Sequence, residues 1–256
     1  MTVTPTSAKS GETVTVTAAP DNGYTVGSVT VTDDSGNSLS VTDNGDGTYT
    51  FIMPASQVTV RVVFTESEAA WANPFTDVSE SDWFYDGVAY AAQNGLMNGV
   101  GSGKFDPGGT TTRGMIVTIL YRLENEPAVP QSAFTDVAAG QYYTEAVAWA
   151  AANRIVEGYG NGTFGPNDVI TREQMAVILY RYAGYKGYDV SGLADLSGYA
   201  DEGVVSDWAL TAMRWANRNG LITGRTATTL APGGTAVRAE AATILTRFCR
   251  DTAGLA

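Results

Sequence analysis

The chain has 256 residues, 27 of them acidic and 15 basic, which gives a net charge of −12; this sign excludes a general nucleic-acid binder. It has no histidine and a single cysteine, Cys249, which excludes histidine-dependent catalysis, histidine-ligated zinc and an internal disulfide. No apolar run reaches the roughly 18 residues of a transmembrane helix, so we expect no membrane span. The length allows one or two globular domains. We expect no cofactor, metal or catalytic activity.

The first 66 residues have the pattern of a small all-β domain. Four runs alternate with period two, mostly between valine and threonine, at 13–17, 28–32, 49–53 and 58–62. Turn-forming residues separate these runs, at 20–23, 33–37 and 43–47. Period-two alternation is typical of strands with one buried and one solvated face. The pattern predicts an antiparallel sheet or sandwich.

The Asp43–Gly47 cluster superficially resembles the start of a calcium-binding loop. It lacks the remaining EF-hand spacing and the glutamate that closes such a loop. A hairpin turn between two strands is therefore favoured over a metal site.

The end of the β region and the residues after it mark a boundary. The segment Met53–Phe64 resembles the closing strands of small β repeats found in tandem on bacterial surface proteins. That resemblance implies a spacer or presentation module. Residues 67–74, which end at Pro74, are predicted to form a linker.

The rest of the chain is an internal repeat. A shift of 59 residues aligns Phe75–Val78 with Phe134–Val137, and a further shift of 66 carries the pattern into a third copy. The seven additional residues of the second shift fall within 186–198, between copies two and three. We predict three repeat units at 75–125, 134–186 and 199–250.

Each copy has the pattern of a helix, a glycine-rich loop and a second helix. The first helix is predicted to end near Asn94-Gly95 in copy one and Asn219-Gly220 in copy three. The second helix carries an apolar stripe in every copy, made of Ile116, Ile119, Leu120 and Leu123, then Met175, Ile178, Leu179 and Tyr182, then Ala241, Ile244, Leu245 and Phe248. Such stripes indicate core positions. Three hairpins must pack together to bury them, either as a solenoid or as a closed three-lobed unit.

The order of these motifs resembles the S-layer homology family over residues 75–250. FTDV, an aromatic residue, a helix, a G-x-G-x-G-x-F-x-P loop and a Thr-Arg pair that opens the next helix follow one another as in that family. The resemblance implies an all-α pseudo-threefold prism of helical hairpins. Together with the small all-β N-terminal module, it predicts a multidomain α+β protein. It also implies binding of pyruvylated secondary cell-wall polysaccharide in grooves between copies. The protein is then expected to be extracellular, fixed without a covalent bond to the bacterial cell surface.

An arginine opens the second helix of each copy. Arg113, Arg172 and Arg238 follow the expected N-cap positions, where a cation is disfavoured by about 0.3–1 kcal/mol. Their recurrence predicts an anion site in which a guanidinium and free N–H groups bind one carboxylate. A pyruvyl ketal would supply that carboxylate. The alternative is that each arginine pairs with the aspartate of an FTDV-type turn and ties copies together; these aspartates are Asp77, Asp136 and Asp201.

The copies depart from the family pattern to different extents. Copy two keeps a capping residue, Gln174, whereas copy one has Gly114 after its arginine. Copy three has Glu240 as the capping acid but Val237 in place of the N-cap threonine. We expect at most two grooves to bind well, and the one with Arg172 to bind most strongly.

Further candidate site residues lie at matched positions. Trp83, Tyr142 and Trp208 precede the first helix of their copies. They could stack on a sugar, or they could pack in the core or between copies. Gly99, Gly158 and Gly224 permit a positive φ or the close approach of a ligand, or they form a tight turn. Trp149 and Trp215 are assigned to packing, and Cys249 to a partly buried position.

Two other functions remain as alternatives. A glycosidase would need two carboxylates in a defined setting, and no acidic pair in the sequence has one. A structural or adhesive protein, whose repeats self-assemble into a lattice or bind a partner, is the second alternative. The N-terminus lacks the pattern of a signal peptide, so we expect a fragment of a longer exported protein rather than an intact small one.

Overall fold

The computed structural model of the protein describes residues 1–21, 24–66, 71–129, 132 and 134–254. The chain divides into two compact units, Met1–Ala72 and Asn73–Ala256. Antiparallel strands make up the first unit and six α-helices the described part of the second, so the fold class is α+β. None of the helices in the described ranges has the length and apolarity that crossing a bilayer requires.

The described residues of the β unit form two antiparallel sheets. One has four strands in the order β1-β2-β5-β4 and the other pairs β3 with β6. The strands are β1 (Thr2–Thr4), β2 (Thr13–Thr17), β3 (Tyr24–Asp33), β4 (Thr42–Asp43), β5 (Thr48–Ile52) and β6 (Val58–Glu66). The four strands predicted from alternation are confirmed. The alternation did not predict β1 and β4, because two or three residues are too few to show a period.

Alternation in β2 places its valines inside and its threonines outside. Val14 and Val16 are buried with Val31 and Phe51 in a small core, while Thr13 and Thr17 are exposed. The pairing of β2 with β5 sets Val14 opposite Phe51. The predicted division into one wet and one buried face is confirmed for this strand.

The Asp43–Gly47 cluster is the turn between β4 and β5, as predicted. The Asp43 carboxylate accepts the N–H of Gly45 at 2.8 Å, and the Asp46 carboxylate accepts the N–H of Thr48 at 3.0 Å. Both carboxylates thus close local turns of the backbone. Part of the predicted 20–23 turn, residues 22–23, and part of the predicted linker, residues 67–70, lie outside the described residues.

In the described part of the helical unit, each repeat has two α-helices. They are α1 (Tyr85–Gln93), α2 (Arg113–Leu123), α3 (Thr144–Ala152), α4 (Arg172–Lys186), α5 (Leu210–Arg218) and α6 (Arg238–Arg247). Asn94 and Asn219 cap the C-termini of α1 and α5, followed by Gly95 and Gly220 with φ of +66° and +67°. The predicted glycine-associated ends are confirmed.

The second helix of each repeat packs against the first helix of another repeat. Helix α2 contacts α3, α4 contacts α5, and α6 returns to contact α1. Within the apolar stripes, Ile116, Leu120, Leu179 and Leu245 are fully buried. The three repeats therefore share one core, and the third repeat touches the first.

Two tryptophans and the single cysteine lie in the core of the helical unit. Trp149 and Trp215 are buried, as predicted from their helical positions. Cys249 was expected to be partly buried but is fully buried, and burial raises the pKa of its thiol to about 11. Cys249 lies in a π-helical turn, Phe248–Thr252, that follows α6, and both Phe248 and Cys249 are buried there.

The segment between the second and third repeats covers α5. Gly187 ends α4 with a φ of +75°, and Leu196 is fully buried. The indole N–H of Trp215 donates to the Asp189 carbonyl at 3.2 Å, and Arg214 Nε donates to the Ala194 carbonyl at 2.8 Å. These contacts attach the insertion to the surface of the repeat unit.

Candidate functional site

Each of the three arginines is the first residue of its helix, as predicted. The Thr112 hydroxyl accepts the Met115 N–H at 3.3 Å. Thr171 and Gln174 form a reciprocal capping box, with distances of 3.2 Å and 3.1 Å. At α6 only the acidic half of the box is possible, since Val237 offers no side-chain acceptor: Glu240 accepts the Val237 N–H at 3.1 Å. Local sequence thus fixes where each arginine lies.

The backbone N–H groups beside these arginines are already bonded. The N–H of Arg113 donates to the Asp168 carbonyl at 3.0 Å and that of Gly114 to the Pro166 carbonyl at 2.9 Å. The first two residues of α4 and α6 make the same bonds, to Gly234 and Pro232 and to Gly109 and Pro107. The prediction that free N–H groups join the guanidinium in binding an anion is therefore wrong. A loop from another repeat satisfies these donors instead.

The guanidinium groups also bond to the carbonyls of another repeat. Arg113 donates through Nε to Phe164 O at 3.0 Å and through Nη2 to Glu157 O at 3.2 Å. Arg172 makes the corresponding bonds to Leu230 O and Thr223 O, and Arg238 to Phe105 O and Asn98 O. Within the described residues, Nη1 of these arginines makes no hydrogen bond. One nitrogen of each guanidinium thus has capacity for a further acceptor.

All three arginines are buried, with 5–7% of each residue exposed. Burial lowers the pKa of each guanidinium, although an arginine remains protonated in proteins. Carbonyl oxygens accept from its Nε and Nη2 without cancelling its charge. A buried cation in this setting favours the approach of an anion.

The FTDV-type aspartates organise the loops that the arginines contact. Asp77 accepts the N–H groups of Phe105 and Asp106 at 2.8 Å and 2.9 Å. Asp136 and Asp201 do the same in repeats two and three. Burial opposes the ionisation of Asp77 and Asp136, but these N–H donors outweigh it and hold the pKa of both below 3.8. At Asp201 the Leu230 N–H is the largest influence, and its pKa is lowered too.

The alternative in which each arginine pairs directly with an aspartate does not hold. No ion pair within 4 Å joins Arg113, Arg172 or Arg238 to an aspartate in the part of the chain that the structure describes. The link is indirect, because Asp136 holds the turn whose Phe164 carbonyl accepts from Arg113. Aspartate and arginine therefore act on opposite sides of the same loop.

The three candidate glycines do not have a positive φ, so that expectation is wrong. They are glycines because space is short. A Cβ on Gly158 would lie 2.6 Å from the Phe134 ring and would also collide with the Thr163 carbonyl. Gly99 and Gly224 face the same pair of obstacles, an aromatic ring and a carbonyl of the loop. The close approach is thus made by the protein's own FTDV-type aromatic residue.

The matched aromatic residues are exposed, which excludes the core alternative. Trp83, Tyr142 and Trp208 expose 67%, 54% and 57% of their surface. Trp83 and Tyr142 each contact the ring of the following aromatic residue edge-on. Exposed rings with a fixed edge contact are suited to stacking on a flat apolar face.

One cavity at these positions has a volume of about 460 Å³ and is lined by all three repeats. We call it the Arg113 groove. Repeat one supplies Arg113 and repeat three supplies Trp208. Repeat two supplies the loop residues Glu157, Gly158 and Tyr159 and the helix residues Gln174 and Arg181. The guanidinium carbon of Arg113 lies 4.9 Å from the centre of the Tyr159 ring.

A second cavity of about 340 Å³, the Arg172 groove, repeats this construction one unit later. Arg172 now comes from repeat two and Trp83 from repeat one. Repeat three supplies Gly224, Arg225, Glu240 and Arg247, among others. Each cavity therefore needs an arginine, a loop with its helix, and an aromatic residue from three different repeats.

The third set of equivalent residues is less complete. Arg238 reaches the loop of repeat one by donating to Asn98 O at 2.7 Å. Tyr142 lines a smaller cavity of about 230 Å³ with Thr118 and Arg122. Arg238 does not line that cavity.

We expected the groove with Arg172 to bind most strongly because copy two matches the family pattern best, but each groove combines residues of several copies. Arg172 and the well-matched loop residue Tyr159 belong to the same copy but line different grooves. A ranking by copy therefore does not transfer to grooves.

Sequence reasoning missed three arginines on the groove walls. Arg181 and Arg247 line the two larger cavities, and Arg122 lines the smallest. A signal was present, since the shifts of 59 and 66 residues that define the repeats also align these three positions.

Comparison with known proteins agrees with the division of the chain. The S-layer homology domain matches residues 74–114, 133–176 and 199–242, which is half of the chain. The divergent InlB B-repeat domain matches residues 1–68. The two resemblances noted in the sequence, to surface β repeats and to S-layer homology repeats, are confirmed.

Individual relatives match over most of this chain but over little of their own length. An exoglucanase, XynX, of Acetivibrio thermocellus is 30% identical over 90% of this chain and 20% of its own. A surface-layer 125 kDa protein of Lysinibacillus sphaericus is 30% identical over 71% of this chain and 15% of its own. An S-layer protein of Bacillus anthracis is 34% identical over 43% and 14%. The chain thus spans a fifth or less of these relatives.

Proposed function

The chain belongs to the S-layer homology domain family, and we propose that its repeats anchor it by binding pyruvylated secondary cell-wall polysaccharide in the grooves between them. Membership of this family, together with surface-layer relatives, makes it an extracellular, cell-wall-associated protein. The proposal adds the ligand and the place where it binds.

The observation that carries the proposal is a buried guanidinium at the wall of an open cavity. Arg113 is 6% exposed, bonds to carbonyls and lines a cavity of about 460 Å³. A pyruvyl ketal would place a carboxylate on a sugar ring, whose apolar face could stack on Trp208. One groove would then bind both the carboxylate and the sugar ring of the ligand.

The proposed binding unit is a closed pseudo-threefold prism rather than a solenoid. Contact of α6 with α1 and the bonds from Arg238 to Phe105 and Asn98 support closure, because both join the third repeat to the first. Closure matters for function, since each groove takes residues from three repeats.

Within the prism we propose that the Arg113 groove is the principal site for a single carboxylate. It is the larger of the two complete grooves, and it keeps the Tyr159 ring beside the arginine. The ranking that favoured Arg172 rested on residues that the fold distributes over two grooves.

A non-catalytic role is part of the proposal. The relatives that are named as glycosidases extend well beyond the part matched by this chain. The first unit is proposed to be a spacer or displayed module, in line with its likeness to the InlB B-repeat. The second candidate function, assembly of the repeats into a lattice, is supported by the surface-layer relatives.

The experiment is co-sedimentation of the full chain with Gram-positive cell-wall sacculi, before and after acid removal of the secondary polymer. We expect binding that disappears on stripping. Binding that survives stripping would point to peptidoglycan, and no binding to any pyruvylated wall would overturn the proposal in favour of assembly.

A matched pair of variants sharpens this test. Arg113→Gln should reduce sedimentation, whereas Arg218→Gln removes the same charge from an exposed position that lines neither groove. Thermal melting identifies any loss caused by unfolding. Equal loss in both variants would show that only net charge matters.

A further inference from the structure

We propose that the Arg172 groove selects a doubly charged anionic group, such as a phosphate monoester on a sugar, whereas the Arg113 groove takes a single carboxylate. The inference rests on the proposed function, because it assigns different charged groups of an anionic wall polymer to the two grooves.

The charged residues that line the grooves differ. The Arg172 groove is lined by three arginines, Arg172, Arg225 and Arg247, and by one acid, Glu240, which leaves two positive charges. The Arg113 groove is lined by two arginines, Arg113 and Arg181, and by Glu157, which leaves one. Arg181 and Glu157 form an ion pair at 3.0 Å. The uncompensated charge in that groove is the buried Arg113 alone.

Three aligned lining positions account for the difference, since Glu157 corresponds to Thr223, Tyr159 to Arg225 and Gln174 to Glu240. The exchange at Tyr159 is accompanied by a change at a neighbouring residue. In repeat two the Tyr159 hydroxyl donates to the Asp168 carboxylate at 2.9 Å, and both residues are close enough to Arg113 to favour its charged form. In repeat three the aligned residues are Arg225 and Gly234. Repeat three thus has a cation, Arg225, in place of the tyrosine and a glycine, Gly234, in place of the aspartate.

The loss of the carboxylate makes room for the new cation. A Cβ placed on Gly234 would lie 3.4 Å from Nη1 of Arg225, so the guanidinium occupies space beside this glycine. Arg225 Nη2 donates to the Thr235 carbonyl at 2.7 Å, which holds the group at the groove. The two changes therefore act together as one exchange of negative for positive charge.

The protein compensates this exchange only in part. Glu240 lies 3.2 Å from Arg225 through both carboxylate oxygens, and it also accepts the Val237 N–H at the start of α6. Arg225 and Arg172 are neighbouring like charges, and this repulsion contributes to the lowered pKa of Arg172, after burial. Arg247 donates to the Gly220 carbonyl, which carries no charge. A ligand with two negative charges would neutralise the two positive charges that remain in the groove after Glu240 is counted.

The test is titration of the full chain with two soluble probes followed by side-chain NMR or calorimetry. N-acetylglucosamine 6-phosphate carries close to two charges at pH 8, and a methyl glucoside with a 4,6-pyruvate ketal carries one. The variants are Arg225→Tyr, which restores the residue of repeat two, and the reciprocal Tyr159→Arg. Arg218→Gln, on the exposed end of α5, is the matched charge control.

We expect Arg225→Tyr to weaken phosphate binding about tenfold, the effect of one lost charge-assisted contact, with ketal affinity changed less than about twofold. Lowering the pH from 8 to 5 should weaken phosphate binding to the parent but not to Arg225→Tyr, because the second phosphate ionisation has a pKa of about 6. A melting temperature close to that of the parent shows that the variant is folded.

Several outcomes would overturn the inference. They are equal losses for both probes, no phosphate binding by the parent, or the same loss with Arg218→Gln. Sacculus binding that depends on the polymer, combined with no phosphate preference, would overturn the inference and leave the anchoring function standing. A phosphate preference that depends on Arg225, without sacculus binding, would support the groove assignment and overturn the anchoring function.

Discussion

The Arg113 and Arg172 grooves share the residues that join the repeats, which we call the frame. They differ in lining residues that vary between repeats, which we call the rim. In both, a buried arginine donates to two carbonyls of another repeat, while an aspartate holds the turn that carries one of those carbonyls. At the rim, Tyr159 and Gln174 of the Arg113 groove correspond to Arg225 and Glu240 of the Arg172 groove. The difference teaches that the repeated residues join the repeats, while ligand preference depends on residues that vary between them.

The largest expected effect comes from removing the arginine of the frame. Arg113→Ala leaves the carbonyls of Phe164 and Glu157 without their donor. We expect the free energy of unfolding to fall by about 2–4 kcal/mol, since each unsatisfied buried group costs about 1–3 kcal/mol. Urea denaturation would measure it. A change below about 0.5 kcal/mol would show that the arginine serves binding only.

A smaller loss is expected from adding one methyl group to the frame. Gly158→Ala places a Cβ against the Phe134 ring and the Thr163 carbonyl, and overpacking of this kind costs about 1–3 kcal/mol. Gly108→Ala is the matched control, because nothing lies within 4 Å of its added Cβ. Thermal unfolding of both variants tests the contrast, which fails if the two melt together.

Removal of the frame's carboxylate charge should show a pH dependence. Hydrogen bonds hold the pKa of Asp136 in the folded protein below its ordinary 3.8. Its ionisation therefore stabilises the fold above pH 3.8, and this contribution disappears as the pH falls through the folded-state pKa. We expect Asp136→Asn to be less stable by about 1 kcal/mol at pH 7.

The pH series also checks the cause of that loss. The difference between parent and Asp136→Asn should shrink as the pH is lowered from 5 to well below 3.8, because the carboxylate is then protonated first in the unfolded chain and, at lower pH, in the folded protein. A difference that stays constant over this range would show that the lost contact is steric rather than electrostatic.

The smallest effect on stability is expected at the rim. Trp208→Ala removes a ring that is 57% exposed, so unfolding should change by less than about 0.5 kcal/mol. Binding of a soluble ketal glycoside should weaken about fivefold, as expected for one stacking contact. If stability fell and binding did not, Trp208 would belong to the frame, and the division between frame and rim would break down.

Periodicity and capping carried most of the fold. Alternation located β2, β3, β5 and β6, and the apolar stripes located α2, α4 and α6, because burial of one face imposes a period on the sequence. Thr112 and Thr171 marked where two of these helices begin, since capping is a local interaction. Strands as short as β4 carried no such period.

The candidate site was predicted less completely. The arginines were found as first helical residues, but their partners were not, because the contacted carbonyls lie 44 to 140 residues away along the chain. The glycines were found for the wrong reason: their φ is ordinary, and it is the aromatic ring of the FTDV-type turn that excludes a side chain.

By itself the sequence determined the threefold repeat, the type of each long element and the place of each arginine on its helix, because these follow from periodicity and local hydrogen bonding. Only the tertiary structure decided which repeat's arginine meets which repeat's loop, and so which charges share a groove. The physical reason is that helix packing brings Arg172 beside Arg225 rather than Tyr159, and a charge acts through its neighbours in space, whatever their position in the chain.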